Sequence, residues 1–230
     1  MKRNDGKRMF CRGIWLLAAF GIWTVLIMTV GVQPAGQQGT DIGFAGVNLW
    51  FHRLTGVHMS LYHITDWLGL VPVFVGIVFA GVGLVQLVRR RSLLKVDGDI
   101  LILGVYYIIV IAGYLAFEIV PINYRPVLIE GRLEASYPSS TTLLVLSVMP
   151  TLVFQAERRL QDRRAKLAVR ILSVLFSLFM VAGRLVSGVH WLTDIIGSVL
   201  LSGGLFYLYM GGVFTWNFMK NCRSFEKNGD

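Results

Sequence analysis

The sequence predicts an all-α fold, a polytopic membrane helix bundle of six transmembrane helices. Three observations predict it. Of 230 residues, 55% are hydrophobic and only 15% are charged, too little charge for a soluble domain of this size. The apolar residues fall in blocks, and blocks of about 18 or more match the roughly 30 Å hydrocarbon core at about 1.5 Å rise per residue. The cations gather on alternate connections between blocks, which is how membrane topology is set.

The elements follow in order. Spans are expected at roughly 13–32, 67–88, 100–117, 139–156, 167–183 and 195–216, in one membrane domain over residues 1–230. The first follows Lys2, Arg3, Lys7, Arg8 and Arg12. Its apolar run is long for a signal peptide and no Ala-x-Ala site follows, so it reads as an uncleaved anchor. The connection after span two holds Arg89, Arg90, Arg91 and Lys95, and that after span four holds Arg158, Arg159, Arg163, Arg164 and Lys166. With Arg170 and the tail, 18 of the 22 Lys and Arg residues fall on one side, leaving Arg53, Arg125, Arg132 and Arg184 on the other. Cationic loops resist translocation, so the rich side and both termini are expected in the cytoplasm of a cell membrane.

The net charge of +9 therefore belongs to topology and not to a nucleic-acid surface. Cys11 and Cys222 both fall on the reducing side, so no disulfide is expected. Gly76, Ala80 and Gly83, Gly197 and the Gly203-Gly204 pair suit close helix packing in lipid. The outer segment 33–66 starts Gly/Gln-rich. A mixed run then includes Phe44, Leu49, Trp50, Phe51 and Leu54 beside His52 and Arg53, which reads as an interfacial amphipathic helix. His52, His58 and His63, with Asp66, suggest a metal site. Their spacings do not share one helix face, so they read as interfacial histidines and no metal is assigned.

Chemistry-bearing residues collect at the outer ends of spans three to six, in segments 118–142 and 183–194. They are Glu118 and Asn123-Tyr124-Arg125-Pro126, then Tyr137-Pro138-Ser139-Ser140-Thr141-Thr142, then Gly183-Arg184 and His190-Trp191-Leu192-Thr193-Asp194. Separate segments meeting at one depth are what a site in a bundle requires. His190 and Asp194 are four apart and share a helix face. An aspartate that accepts from one ring nitrogen makes the other a better nucleophile or base. Arg184 reaches the same pocket if Ser187-Gly188 breaks the helix. Two arginines and the N–H groups of a helix starting near Ser139-Ser140 would bind a phosphate.

These residues resemble the type 2 phosphatidic acid phosphatase (PAP2) family of membrane lipid phosphatases, related in fold to vanadium haloperoxidases. That family carries Lys-x6-Arg-Pro, Pro-Ser-Gly-His and Ser-Arg-x5-His-x3-Asp. Arg125 and Pro126 match the first signature, Pro138 and Ser139 the second, and Arg184, His190 and Asp194 the third. The resemblance implies that His190 is the nucleophile taking the phosphoryl group and that Asp194 orients it. It implies that Arg125 and Arg184 hold the phosphate oxygens and that Ser139 helps cradle them.

Four positions depart from the family. Glu118 stands at the lysine, Ser140 at the glycine, Thr141 at the histidine and Gly183 at the serine. By resemblance the missing histidine protonates the leaving oxygen, and threonine has no group titrating near neutrality. A desolvated, protonated Glu118 or Glu134 is the remaining carboxyl source of that proton. The expected function is a phosphatase or pyrophosphatase of membrane lipids acting at the outer leaflet, favouring substrates such as polyprenyl pyrophosphates. No cofactor is implied, because no carboxylate cluster offers Mg²⁺ a site. The partners expected are the bilayer and a phosphorylated lipid, not nucleic acid. The alternative, resting on the two lost catalytic positions, is a PAP2-fold protein that binds or moves lipid phosphates without turnover.

Overall fold

The computed structural model describes residues 3–227. Eight α-helices run in the order α1 (Arg3–Thr29), α2 (Ala45–Thr55), α3 (Met59–Leu68), α4 (Leu70–Arg90), α5 (Gly98–Ile119), α6 (Ser140–Arg159), α7 (Arg163–Val186) and α8 (Leu192–Lys227). Six helical segments among the described residues are long and apolar enough to cross a membrane, one of them α3 continued into α4. Each overlaps one expected span, and most extend beyond it because the charged flanks also stay helical. The expected outer helix is present as α2, with Trp50 and Leu54 on its exposed face.

Burial sorts the six. About half of the apolar windows of α6 and α8 is buried (56% and 50%), against 11% or less for α1, α3–α4 and α7. The central helices are therefore α6 and α8, and the others present Trp15, Phe74, Ile77 and Leu172 outward. Large apolar residues facing out along whole helices suit lipid and not water. The main core joins α4, α5, α6 and α8 through Phe79, Leu103, Tyr106, Val110, Leu143, Leu205, Tyr209 and Val213. Two buried tyrosine hydroxyls in this core are paired: Tyr106 Oη donates to the Ser147 carbonyl at 3.1 Å, and Gln155 Nε2 donates to Tyr209 Oη at 2.8 Å. Unpaired polar groups at this depth would be costly.

Helices α1 and α8 lie antiparallel. Gly13 faces the Gly204 carbonyl, and Gly204 faces Leu17, so close that an added Cβ would sit 2.9 Å and 2.8 Å from those neighbours. Side-chain-free positions let the two backbones approach, as in small-residue contacts in lipid. At the other end of this seam, Trp23 Nε1 donates to the Thr193 carbonyl at 3.1 Å. The start of α1 and the end of α8 thus lie at one end of the bundle, and the α7–α8 connection lies at the other.

The terminal end is locked by charge. Arg159 donates from Nη2 to both carboxylate oxygens of Asp99 at 3.1 Å, and Arg90 pairs with Asp97 at 2.8 Å. These contacts tie α4, α5 and α6 together beneath the core. The opposite end is closed by α2, α3 and the 120–139 connection.

Candidate active site

The α5–α6 connection folds back as a short hairpin. Glu130 and Gly131 both have positive φ, 49° and 76°, the pair of left-handed residues that a two-residue type I′ turn needs. Ile129 and Arg132 flank it and exchange two backbone hydrogen bonds. Farther down, Arg125 N donates to the Glu134 carbonyl at 3.0 Å, and Ser136 N donates to the Asn123 carbonyl at 2.9 Å. The hairpin thus sets Arg125 opposite Glu134 and carries Ser136 beneath them.

The α7–α8 connection supplies the rest. Helix α7 ends at Val186, and Gly188 has φ of 70° with the Gly56 carbonyl 2.1 Å from where a Cβ would sit. Only glycine fits both constraints. The chain reverses there, which brings Arg184 and His190 to the same side. Trp191 Nε1 then donates to the Tyr124 carbonyl at 2.8 Å, pinning this turn to the hairpin.

His190 is 3% exposed. Its Nδ1 lies 3.1 Å from the Ser136 carbonyl oxygen. A carbonyl only accepts, so Nδ1 holds the proton and Nε2 carries the lone pair in the neutral ring. Burial pushes the imidazole down to about 4, and Arg125 and Arg184 push the same way against an opposing contribution from Asp194. The ring is neutral at pH 7, and Nε2 has no hydrogen-bond partner.

Asp194 sits differently from the expected direct clamp on His190. Its Oδ2 is 3.7 Å from Nδ1, beyond hydrogen-bond range. It accepts instead from the Ser136 hydroxyl and, at 2.9 Å, from the backbone N–H of Trp191. The second bond closes half of a capping box at the start of α8. Asp194 therefore acts on His190 at one remove, through Ser136. Ser136 carried no signal in the sequence, because it lies outside the three signatures and its contact with Nδ1 is made by its carbonyl, which every residue type has.

Arg184 is 1% exposed. Its Nη2 donates to Asp66 Oδ1 at 2.8 Å and to Thr141 Oγ1. The Tyr62 ring lies under it at 4.9 Å and under Arg125 at 5.9 Å, a shared cation–π platform. Arg125 Nε lies 3.2 Å from Glu134 Oε2, an ion-pair distance. Among the described residues six buried side-chain N or O atoms have no hydrogen-bond partner, and five belong to Arg125, Arg184 and His190. Buried polar atoms are seldom left unpaired, so the four guanidinium nitrogens mark a demand for acceptors, and His190 adds a free lone pair at Nε2.

A cavity of about 230 Å³ opens here. Tyr114, Phe117, Glu118, Arg125 and Glu134 line it with Pro138, Ser140 and His190. Arg184 lies behind this lining. Ser139 is fully buried, with its hydroxyl donating to Thr142 Oγ1 at 3.1 Å, so Ser140 and not Ser139 faces the cavity. Thr141, at the family's histidine position, is turned to Arg184. Gly183, at the family's serine position, packs so tightly on α3 that a Cβ would lie 2.6 Å from Thr65 Cγ2. The outer histidines are scattered: His52 Nε2 contacts the Gly188 carbonyl at 3.1 Å, and His58 Nε2 contacts the Thr55 carbonyl at 2.9 Å. Asp66 and Tyr62 lie outside the family's three signatures. Asp66 drew notice only beside the histidines, and Tyr62 had no motif to mark it.

Arg125, the Pro138–Thr141 helix start, Arg184, His190 and Asp194 thus meet at one end of the bundle. A family model for the PAP2 superfamily matches residues 99–218, more than half of the chain. This protein belongs to the PAP2 superfamily. Its fold resembles the crystal structure of the first transmembrane PAP2 type phosphatidylglycerolphosphate phosphatase from Bacillus subtilis, with a TM-score of 0.63 and 16% identity over 87% of this chain and 94% of that one. At that identity the likeness concerns the fold. No curated protein sequence matches the chain. Family membership and six apolar helical segments make it a multi-pass PAP2 membrane protein.

Proposed function

We propose that this PAP2 protein is a phosphatase or pyrophosphatase of membrane lipids that works at the outer leaflet through a phosphohistidine on His190. The observation carrying this reading is the neutral, buried His190 with Nε2 unpartnered beside unpartnered N–H groups of Arg125 and Arg184. Nε2 attacks phosphorus, a P–N bond forms, and the P–O bond to the leaving group breaks with its electrons going to oxygen. The two guanidiniums stabilise charge on the non-bridging oxygens. The carbonyl of Ser136 takes up the positive Nδ1–H dipole as the ring becomes charged, and Asp194 stabilises that charge from 3.7 Å. Water then cleaves the P–N bond and releases phosphate.

The leaving group decides the substrate. No residue at Thr141 titrates near neutrality, and its hydroxyl is engaged by Arg184. An alkoxide needs a proton to leave, whereas the phosphate of a pyrophosphate does not. The reading therefore favours lipid pyrophosphates, such as polyprenyl pyrophosphates. With basic loops inside, the site faces the outer leaflet and both termini the cytoplasm.

The test is phosphate release from a lipid panel by purified protein, with acid-labile ³²P trapped on the chain. Both signals are expected in wild type and absent in a folded His190→Ala variant. Wild-type turnover retained in His190→Ala overturns the mechanism.

A second reading has its own observation. Arg184 is already held by Asp66, and Glu118 lines the cavity where the family has a lysine. Both features weaken the stabilisation of charge that builds on the phosphate in the transition state, which favours a protein that binds lipid phosphates without turnover. Saturable binding with no phosphate release from any pyrophosphate would select it.

A further inference from the structure

The end of the bundle opposite His190 has two cavities of its own, where the α4–α5 connection meets the last third of α8. They measure about 410 Å³ and 210 Å³ and share Asp97, Gly98, Trp216 and Lys220. Trp216 lies on Gly98, where a Cβ would sit 2.0 Å from its Nε1, so the indole is held against the start of α5. The two linings hold five cations and two carboxylates. The carboxylates are already paired with arginine. Asp97 lies 2.8 Å from Arg90 and 3.4 Å from Arg159, and Asp99 lies 3.4 Å from Arg158 and 3.1 Å from Arg159. Lys95 and Lys220 are left over. Both are exposed, both line the larger cavity, and neither has an ion-pair partner among the described residues.

Lys95 does not sit on a loose loop. Asp97 N donates to Gln86 Oε1 at 2.9 Å, Gln86 Nε2 donates to Asp97 Oδ2 at 2.9 Å, and Arg90 Nη1 donates to the Lys95 carbonyl. The connection is thus fixed before any ligand arrives, which lowers the ordering cost of binding. The larger cavity also has an apolar side: Leu94 is 90% exposed, Met219 46% and Trp216 40%. Cationic and apolar groups side by side at a membrane end match a molecule with an anionic head and hydrocarbon chains. A free anion would leave Leu94 and Met219 in water. A lipid without net charge would leave two ammonium groups without a counter-charge.

We propose that this groove binds an anionic phospholipid from the leaflet remote from His190. The phosphate lies between Lys95 and Lys220, Trp216 stands at the interfacial level where tryptophan is favoured, and the chains pass Leu94 and Met219. The lipid bridges the α4–α5 connection to α8, the helix whose first turn carries Asp194. The proposal goes beyond the reaction at His190 and does not depend on it.

The test is native mass spectrometry of the purified full-length protein in neutral detergent. The probes are a phosphatidylglycerol and a phosphatidylcholine with identical chains, which differ in net charge. Wild type is expected to bind its first anionic lipid roughly 25-fold more tightly, each lysine contributing about fivefold. Lys95→Gln with Lys220→Gln should bring the two lipids to equal affinity, and Lys95→Arg with Lys220→Arg should keep the preference. Arg163→Gln with Arg164→Gln removes the same charge from the same end but outside the groove, and should leave the preference in place. Glycerol 3-phosphate should not displace the lipid. Equal affinities in wild type overturn the proposal, as does a preference that survives the lysine-to-glutamine pair. An equal loss in the Arg163, Arg164 variant overturns it too, because the whole end then acts as a diffuse field. Full displacement by glycerol 3-phosphate reduces the groove to an anion site and overturns the lipid.

Discussion

The Nδ1 atom of His190 lies 3.1 Å from the main-chain oxygen of Ser136, and this one contact fixes which ring nitrogen is free. It also ties the nucleophile to the hairpin rather than to the helix on which Asp194 stands. The geometry of the proposed reaction therefore depends on loop 120–139 as much as on the third signature.

The pH dependence follows from burial. His190 is pushed from 6.5 down to about 4. Between those values the unfolded chain binds a proton that the folded chain does not, so folding stability falls as pH drops through that window and is unaffected above it. The unprotonated ring also persists to lower pH, so the His190 limb of kcat/KM should lie well below 6.5. The measurement is the pH profile of kcat/KM, corrected for the substrate's own titration. A limb near 6.5 would mean that the ring is solvated and the buried geometry is not the working one.

Leaving-group dependence tests Thr141. Loss of a general acid costs about 10²–10⁴ in rate, and that cost falls on monoesters. Pyrophosphates are therefore expected to exceed phosphatidic acid in kcat/KM. Thr141→His should raise monoester hydrolysis more than pyrophosphate hydrolysis, and Glu118→Lys with Thr141→His should raise it further. Equal wild-type rates on both classes, unmoved by Thr141→His, would show that another group supplies the proton.

Gly183 makes a prediction about packing. The family's serine at this position would place Cβ 2.6 Å from Thr65 Cγ2. Gly183→Ser is expected to destabilise the protein by about 1–3 kcal/mol, the usual cost of overpacking. Removing that methyl with Thr65→Ser should recover most of the loss. Thermal unfolding of the two single variants and the double variant measures the coupling, and strict additivity would disprove the contact as the cause.

Topology is tested by reporter fusions. Insertions near Arg91 and Arg163 should read cytoplasmic, and insertions near Gly39 and Gly131 external. An external signal near Arg163 would reverse the side on which the site works.

Much of this architecture was legible in the chain, for identifiable reasons. A block of apolar residues long enough for the bilayer leaves a helix as the only spanning form for it, since every backbone group must be bonded internally. The six segments and the short outer helix α2 were readable on that basis. So was the gathering of Arg125, Arg184 and His190 at one end, because strictly alternating spans bring these connections to one side.

The sequence by itself determined the helices, their order and the residue types brought to one end. Only the tertiary structure decided which atoms meet. It gave Nδ1 of His190 to a carbonyl, moved Asp194 to a helix cap, turned Ser139 inward and Ser140 outward, and paired Arg184 with Asp66 across 118 positions of chain. The physical reason is range. Hydrophobic block length and charge bias are local sums over a segment, whereas a hydrogen bond depends on ångström placement set by the whole packed bundle.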